Sequence, residues 1–282
     1  MRRIVVAAIG IALAFAGCRC ERIGEAGPPT TLTPVTGDAS ACGVARAPAN
    51  GAHHVTQSGR TFHVWTPSSY DPARAYPVVF AVHGLGSDGL GFKKWFKMES
   101  FVDDAAIVVY PDSKKGLWDV TRESDLEFFD AMIDGLAGTY CIDRKRVFAI
   151  GFSYGGKMVH HLGCKRTDRF KAISVGDGSW ADGTPKCGQL PVLVTHRTRD
   201  HDELIEWGRD AAERWSKVNG CSADTEPTDA AHGCFAWKGC APGADVTFCE
   251  DKYFNDSWPR DWNHTIREDY LRLTWRWFAS RP

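Results

Sequence analysis

The chain has 282 residues, of which 43% are hydrophobic, and its 34 Lys and Arg nearly balance 35 Asp and Glu, leaving a formal net charge of −1. This length leaves room for one or two domains, and a single α/β domain of this size is common. Because the charge is balanced and the basic residues form no long block, the composition argues against a nucleic-acid-binding protein.

The N-terminus has the features of an export signal. Two arginines precede an apolar run from Ile4 to Ala16, which is too short to span a bilayer and has the length of a signal-peptide core. The run ends in Phe15 to Cys18, which resembles a bacterial lipobox with Phe in place of the usual Leu, and an overlapping small-x-small site also suits an ordinary signal peptidase. We therefore predict an export signal over residues 1–18, with Cys18 lipidated and the mature protein outside the cytoplasm.

Cysteine usage agrees with export. Eight cysteines follow the two near the N-terminus, and an even number in an exported chain predicts disulfides: Cys42, Cys141, Cys164, Cys187, Cys221, Cys234, Cys240 and Cys249. None belongs to a Cys-x-x-Cys pair, so a zinc site is not expected. Cys234 and Cys249 flank a segment with the features of a hairpin, which predicts that they face each other across two strands.

Residues 19–41 are rich in Pro, Thr, Gly and Ala, lack apolar periodicity, and are predicted to form a flexible tether. The folded domain is expected to occupy residues 42–282, without an internal repeat or a second domain. Thr61 to Trp65 alternates between polar and apolar residues, which predicts an early antiparallel strand.

The rest of the chain alternates between strand and helix patterns. Dense apolar runs of the parallel-strand type cover Pro77–Val82, Ala105–Tyr110, Val147–Ile150, Ala172–Val175 and Val192–Thr195. Helical spacing covers Asp125–Ala137, Lys157–Leu162, Ile205–Val218 and a last helix with Ile266, Tyr270, Leu273 and Trp277 on one face. This alternation predicts one α/β domain with a mostly parallel, doubly wound sheet and helices on both faces.

Gly151 to Gly155 forms a Gly-x-Ser-x-Gly sequence between a predicted strand and a predicted helix. That context is typical of a nucleophile elbow, a strained turn whose neighbours must be small and which exposes its serine above the sheet. Ser153 is therefore the predicted nucleophile. It would lie at the positive end of a helix, where an oxyanion is stabilised.

A serine nucleophile needs a base and an acid that orients the base. Asp200 follows the strand that ends at Thr195, and His264 precedes the last helix, so Ser153, Asp200 and His264 occur in the chain order of α/β-hydrolases. Asp202 and Asp177 are alternative acids, the latter because some enzymes of this fold place the acid one strand earlier.

The oxyanion hole is predicted from the loop that follows the strand ending at Val82. The backbone N–H of Leu85 and that of Tyr154, directly after the nucleophile, are the expected donors. His83 in the same loop is an alternative base, although a histidine before glycines at a strand end more often braces the loop.

Several motifs closely resemble secreted feruloyl esterases of the carbohydrate-esterase type and their polyhydroxybutyrate-depolymerase relatives. They span residues 60–280: Tyr110-Pro111, Glu127–Asp130, Tyr140–Asp143, Arg146–Gly156, Leu162–Cys164, Asp168–Ile173, Val218–Cys221 and His264–Ile266. The resemblance implies an α/β-hydrolase fold and ester hydrolysis through an acyl-enzyme. By position, Ser153, Asp200 and His264 match the family triad.

The chain departs from that family in two places. The family usually has His-Gly-Thr-Ala-Asp at the acid strand, where this chain has Arg197 and Arg199 in place of the small residues. The family usually reaches its catalytic histidine soon after the last cysteine, whereas this chain inserts the aromatic-rich segment Lys252–Asn263. We expect the insertion to reshape or cover the substrate pocket, and therefore to affect the substrate more than the reaction.

The leading expectation is an exported or lipid-anchored serine esterase that releases hydroxycinnamate from plant polysaccharide. The alternatives are a polyhydroxybutyrate depolymerase, a general carboxylesterase, and a non-catalytic surface-binding protein on a hydrolase scaffold. The mechanism requires no metal and no organic cofactor. Most of the eleven tryptophans are expected to pack in the core, while one or two near the site are candidates to stack on a sugar or an aromatic ring.

Overall fold

A computed structural model describes residues 29–34, 40–43, 50–181, 187–253 and 263–282. Its strands are β1 (Thr30–Thr31), β2 (Ala52–Val55), β3 (Thr61–Trp65), β4 (Tyr76–Val82), β5 (Ile107–Pro111), β6 (Ile142–Phe152), β7 (Ala172–Gly176), β8 (Val192–Arg197), β9 (Thr225–Asp229), β10 (Cys234–Trp237) and β11 (Val246–Asp251). Its helices are α1 (Gly89–Phe96), α2 (Glu123–Ala137), α3 (Tyr154–Lys165), α4 (Ile205–Val218) and α5 (Glu268–Ala279).

The strands form one sheet in the order β1-β2-β3-β5-β4-β6-β7-β8-β11-β10-β9. The six central strands from β5 to β11 run parallel, while β3 and β10 pair antiparallel with their neighbours at the two sides. The parallel strands are buried along almost their whole length, as expected for strands covered on both faces. The predicted mostly parallel sheet is confirmed.

Helices cover both faces of the sheet. On one face α2, α3 and α4 pack against side chains such as Val78, Phe80 and Val82. On the other face α1 and α5 pack against the intervening residues Val79 and Ala81, because successive side chains of a strand point to opposite faces. Sequence patterns did not indicate α1, although Asp88 caps it by accepting a hydrogen bond from Gly91 N–H at 2.7 Å.

The predicted tether is wrong for its described residues. Thr30 and Thr31 pair with β2, and Leu32 is buried against Gly135 of α2. Ala41 N–H donates to the Ala137 carbonyl at 2.7 Å. A two-residue strand with one buried leucine has no periodicity that a sequence pattern can reveal. The other residues of the expected tether and the whole of residues 1–18, including Cys18, lie outside the described ranges.

The predicted disulfides are confirmed. The eight cysteines form four bonds: Cys42–Cys141, Cys164–Cys187, Cys221–Cys240 and Cys234–Cys249. Cys234 and Cys249 lie opposite each other in the antiparallel pair of β10 and β11, as the hairpin pattern predicts. No helix in the described ranges is both long enough and apolar enough to cross a membrane.

Candidate active site

The nucleophile elbow joins β6 to α3 at the carboxyl edge of the sheet. Ser153 has φ 56° and ψ −126°, a conformation that is strained for a residue with a side chain. Its N–H donates to the Gly176 carbonyl at 3.0 Å, which ties the turn to β7. Strain of this kind persists only where the surrounding structure holds it, and it is typical of functional positions.

The glycines around Ser153 are required by close backbone contacts. A Cβ atom on Gly151 would lie 2.2 Å from the Gly155 carbonyl oxygen, and one on Gly155 would lie 2.2 Å from the Val82 carbonyl oxygen. Real Cβ atoms do not approach this closely, so a larger residue at either position would displace the turn or β4. Local sterics therefore fix where Ser153 stands.

Asp200 and His264, 64 residues apart in the chain, meet beside this turn. His264 Nδ1 lies 2.6 Å from Asp200 Oδ2. The other oxygen of Asp200 accepts the backbone N–H groups of Asp202 and Glu203 at 2.8 and 3.0 Å. Asp200 is buried, and Asp202 is exposed and contributes its backbone rather than its carboxylate. Asp200, rather than Asp202 or Asp177, is therefore the hydrogen-bond partner of His264.

Burial and the neighbouring Asp200 act in opposite directions on the pKa of His264. Burial lowers its pKa, but the hydrogen bond and the charge of Asp200 more than offset burial, so the pKa of His264 is raised above its ordinary value. Because Nδ1 donates to Asp200, Nε2 is the nitrogen that can accept a proton. The ring lies 4.7 Å from that of Phe152, the residue directly before Ser153.

Asp177 is a second buried carboxylate next to this pair. Single ligand atoms of Asp177, Asp200 and His264 all lie within 4.8 Å of one another. Asp177 has φ 43° and accepts the Arg197 backbone N–H at 2.7 Å. Burial raises its pKa to about 6, and the charge of Asp200 adds to the effect. The structure therefore brings the alternative acid close to the base without a hydrogen bond between Asp177 and His264.

Arg197, one of the two arginines that depart from the family pattern, forms a buried ion pair. The side chain of Arg197 is 2% exposed, and its Nε lies 3.3 Å from Asp251 at the end of β11. Asp251 also pairs with Arg267 at 3.2 Å, just beyond His264. Both guanidinium groups lie over the ring of Tyr253, at 5.6 and 5.1 Å. The described N-terminal end of the Lys252–Asn263 insertion thus contacts one charged cluster through Tyr253, and residues 254–262 lie outside the described ranges.

His83 braces the loop after β4. Its ring is fully buried, Nδ1 lies 2.7 Å from the Gly84 carbonyl, and Nε2 accepts the Ser113 N–H at 3.2 Å. Both ring nitrogens are therefore occupied, and burial lowers the pKa of the ring. This arrangement matches the structural role that the sequence favours for His83 and leaves it unsuited to act as a base.

The predicted oxyanion donors lie on the two segments next to Ser153. A Cβ atom on Gly84 would lie 3.7 Å from Ser153 Oγ, so the loop that carries Leu85 passes directly beside the nucleophile. Tyr154 is the first residue of α3, where backbone N–H groups have no acceptor within the helix. Within the described ranges, neither Leu85 N–H nor Tyr154 N–H donates to another protein group.

Two cavities are lined in part by the first turn of α3, the helix that follows the elbow. The first, of about 650 Å³, is lined by residues of the loop between β5 and α2, among them Leu117 and Trp118, and by Tyr154. The second, of about 370 Å³, is lined by Lys157, Ser179, Trp180, Trp207 and Asp210. Both volumes fall within the ~300–1,000 Å³ of ligand pockets. The sequence contains eleven tryptophans, but it does not indicate which of them line a cavity, because that depends on how distant segments pack.

Two groups in the described chain bring possible metal ligands together. One is the cluster of Asp177, Asp200 and His264, in which the bond between base and acid accounts for the proximity. The other contains His53, His63 and Asp112. There the carboxylate accepts hydrogen bonds from Thr61 Oγ1 at 2.6 Å and from Gly89 N–H at 2.8 Å, which gives it a structural role at the start of α1.

Known proteins resemble this chain over most of its length, although no family model matches it. It is 32% identical over 202 residues to a probable feruloyl esterase C of Aspergillus terreus, covering 68% of this chain and 74% of that protein. It is 29% identical over 267 residues to a probable feruloyl esterase C of Aspergillus niger, covering 89% and 95%. A bifunctional acetylxylan esterase/xylanase of Neocallimastix patriciarum is 29% identical over 153 residues, 53% of this chain and 22% of that protein.

Solved structures share the fold. An acetyl xylan esterase from Aspergillus awamori superposes with a TM-score of 0.57 at 16% identity, covering 78% of this chain and 94% of that chain. The Bacillus cereus carboxylesterase gives a TM-score of 0.52 at 14% identity, covering 80% and 96%. The fold and the relatives define the class as a serine carboxylic ester hydrolase with the α/β-hydrolase fold.

Within that class, the chain belongs to the feruloyl esterase family. The resemblance predicted from its motifs is thereby confirmed.

Proposed function

We propose that the protein is an exported serine esterase that cleaves hydroxycinnamate esters of plant polysaccharide, with Ser153 as nucleophile, His264 as base and Asp200 as the acid that orients it. The observation that carries the proposal is the 2.6 Å hydrogen bond between His264 and Asp200 beside a serine held in a strained elbow. The names of the feruloyl esterase relatives support the choice of acyl group.

The chemistry follows from these positions. His264 Nε2 takes the proton of Ser153 Oγ as the oxygen attacks the ester carbonyl, and the N–H groups of Leu85 and Tyr154 donate to the oxyanion of the tetrahedral intermediate. The intermediate collapses, and His264 returns the proton to the leaving alcohol. Water, deprotonated by the same nitrogen, then cleaves the acyl-enzyme, which releases the acid and restores Ser153.

Acetylated xylan is a second candidate substrate. The acetylxylan esterase/xylanase relative favours it, since that protein's name joins ester cleavage to the same kind of polysaccharide. Both candidates share a sugar as the alcohol and differ in the acyl group. The cavity beside Leu117 and Tyr154 has apolar side chains that can contact an aromatic acyl group, next to polar and charged ones such as Asp119 and Arg122.

Export and lipidation at Cys18 belong to the same proposal. Four disulfides fit an oxidising compartment, and the N-terminal apolar run followed by a lipobox-like sequence supports an anchored form. Cells that express the full chain would incorporate a palmitate analogue, and replacement of Cys18 by Ser would abolish the label. An unlabelled wild-type protein in the medium would contradict lipidation while leaving export intact.

The catalytic proposal is tested with Ser153→Ala. We expect hydrolysis of p-nitrophenyl acetate and methyl ferulate to fall by roughly 10⁶-fold, as in other serine hydrolases without their nucleophile, while the melting temperature changes little. A fluorophosphonate probe should label the wild type and not the variant. Full retained activity would contradict the nucleophile, and an unlabelled, inactive wild type would favour a non-catalytic binding protein.

The substrate class is tested with a panel of methyl ferulate, acetylated xylan and hydroxybutyrate oligomers, compared by kcat/KM. We expect methyl ferulate to be the best substrate. A preference for hydroxybutyrate oligomers would replace the proposal with polyester depolymerisation, and equal activity on all three would indicate a general carboxylesterase.

A further inference from the structure

The smaller cavity beside the elbow is built from three segments that leave the carboxyl edge of the sheet. Lys157 lies in the first turn of α3, and its N–H donates to the Ser153 carbonyl at 3.3 Å. Ser179 and Trp180 follow Gly178, where a Cβ atom would lie 2.9 Å from the same carbonyl oxygen. Two of the three segments therefore contact the backbone carbonyl of Ser153.

One aromatic wall of the cavity is held rigidly. The Trp180 ring packs edge-on against Trp215 at 5.4 Å and lies at the same distance from His160. Those two buried residues are joined by a hydrogen bond from Trp215 Nε1 to His160 Nδ1 at 2.9 Å. A ring fixed in this way loses little conformational entropy when a ligand packs against it.

The other aromatic wall is Trp207 in the first turn of α4, with 43% of its surface exposed. An exposed tryptophan beside an active site is a candidate for contact with substrate, because burying its large ring on binding releases hydration water. Trp207 thus faces solvent where Trp180 faces the core, and both line one cavity.

Polar groups complete the lining. Asp210 accepts from Arg214 Nε at 2.6 Å, and Lys157 Nζ lies 3.5 Å from Glu203. The Ser179 hydroxyl has no hydrogen-bond partner among the described residues. The cavity therefore offers a carboxylate acceptor, an ammonium donor and a hydroxyl between two indole rings.

This combination fits a sugar ring better than the other alcohols considered. A sugar presents an apolar C–H face, which can pack on an indole, and a rim of hydroxyls that both donate and accept. A hydroxybutyrate chain has ester carbonyls along its length and few O–H donors, so it would leave the Asp210 carboxylate without a partner on the ligand.

We infer that the cavity lined by Lys157, Ser179, Trp180, Trp207 and Asp210 binds the sugar residue that carries the ester, on the alcohol side of the scissile bond. This inference rests on the proposed esterase function. The acyl group would then occupy the larger cavity, which Tyr154 lines.

The test compares methyl ferulate, which has no sugar, with a feruloylated pentose oligosaccharide. For Trp207→Ala we expect kcat/KM on the oligosaccharide ester to fall by about tenfold, as for the loss of a tryptophan contact in other binding sites, and kcat/KM on methyl ferulate to stay within about twofold. Trp207→Phe keeps an aromatic face and should recover most of the loss. Leu90→Ala removes an exposed apolar side chain of α1 that does not line the cavity, and should leave both substrates unaffected.

Calorimetry gives a readout that does not depend on turnover. Ser153→Ala should bind an unesterified pentose oligosaccharide, and the added Trp207→Ala change should weaken that binding by a similar factor. If Trp207→Ala lowers kcat/KM equally on both ester substrates, or leaves sugar binding unchanged, the proposed sugar subsite is wrong. A loss confined to methyl ferulate would assign the cavity to the acyl group instead. If the wild type cleaves no feruloyl ester yet still binds the sugar through Trp207, the proposed acyl specificity fails and the sugar site stands.

Discussion

The two halves of the sheet position the proposed catalytic groups in different ways. In the nucleophile half, which runs from β3 to β6 with α1 and α3, Ser153 is placed by one continuous stretch of chain and by close backbone contacts at Gly151 and Gly155. In the acid–base half, from β7 to β11 with α4 and α5, Asp200 and His264 come from segments 64 residues apart.

The acid–base half therefore depends on long-range restraints. The Cys234–Cys249 bond joins β10 to β11, and the pair of Asp251 with Arg197 ties the end of β11 to β8. The nucleophile half also contains long-range links, such as the Cys42–Cys141 bond and the pair of Arg60 with Asp125, but close contacts within a short segment determine the geometry of its serine turn. The position of Ser153 is thus set locally, whereas the orientation of His264 is a property of the tertiary structure.

The largest effect that separates the halves is expected from Asp200→Asn. The amide cannot hold His264 in the tautomer that leaves Nε2 free, so kcat should fall by roughly 10⁴-fold, as it does when the acid of a serine triad becomes an amide. Steady-state kinetics with p-nitrophenyl acetate measures the loss. The matched control is Asp202→Asn, which should cost less than about threefold because only the backbone of Asp202 contacts Asp200.

A reversed pattern would change the assignment. If Asp200→Asn stays active and Asp177→Asn loses most of its activity, the acid is Asp177, one strand earlier. In either case the acid belongs to the acid–base half, which contains both aspartates.

The next effect concerns the disulfides. Replacing Cys234 and Cys249 with Ser removes a bond that closes a loop of 15 residues, which is worth about 3 kcal/mol. The melting temperature should fall by roughly 6–12 °C, measured by calorimetry. Below that temperature kcat should also fall, because β11 leads into the segment that carries His264.

The Cys42–Cys141 bond is the control for this prediction. It spans 99 residues and joins the start of the domain to the start of β6 in the nucleophile half. Removing it should lower the melting temperature at least as much while kcat in the folded protein stays near that of the wild type. Equal kcat losses in both double variants would show that the two halves do not differ in this respect.

The smallest effect is a shift in the pH profile. The charge of Asp177 contributes to the raised pKa of His264, so Asp177→Asn should lower that pKa. Since His264 must be neutral to act as a base, the acidic limb of kcat/KM should move to lower pH, by less than about one unit. An asparagine oxygen can still accept the Arg197 N–H.

The control is again Asp202→Asn, whose exposed charge should shift the limb less. Profiles recorded on p-nitrophenyl acetate measure both shifts. A limb that moves to higher pH in Asp177→Asn would contradict the electrostatic role of Asp177.

Much of the fold could be predicted because it is encoded in short windows. The buried parallel strands β4, β5, β7 and β8 are apolar runs, and α2 and α4 have clear helical spacing, so each is recognisable from about ten residues. The elements that were missed are short or at the edges. β1 has two residues, and β9 is exposed and rich in polar residues, so neither has a pattern.

The sequence by itself determined the class of reaction and predicts Ser153 as the nucleophile, because the glycines that permit the elbow must lie close to Ser153 in the chain. It left three aspartates as possible acids. Only the tertiary structure decided that Asp200 contacts His264, since a hydrogen-bond distance between residues far apart in the chain depends on how β8 and the segment before α5 are packed. The same holds for Trp180 and Trp207, which share a cavity only because α4 folds back beside the loop that follows β7.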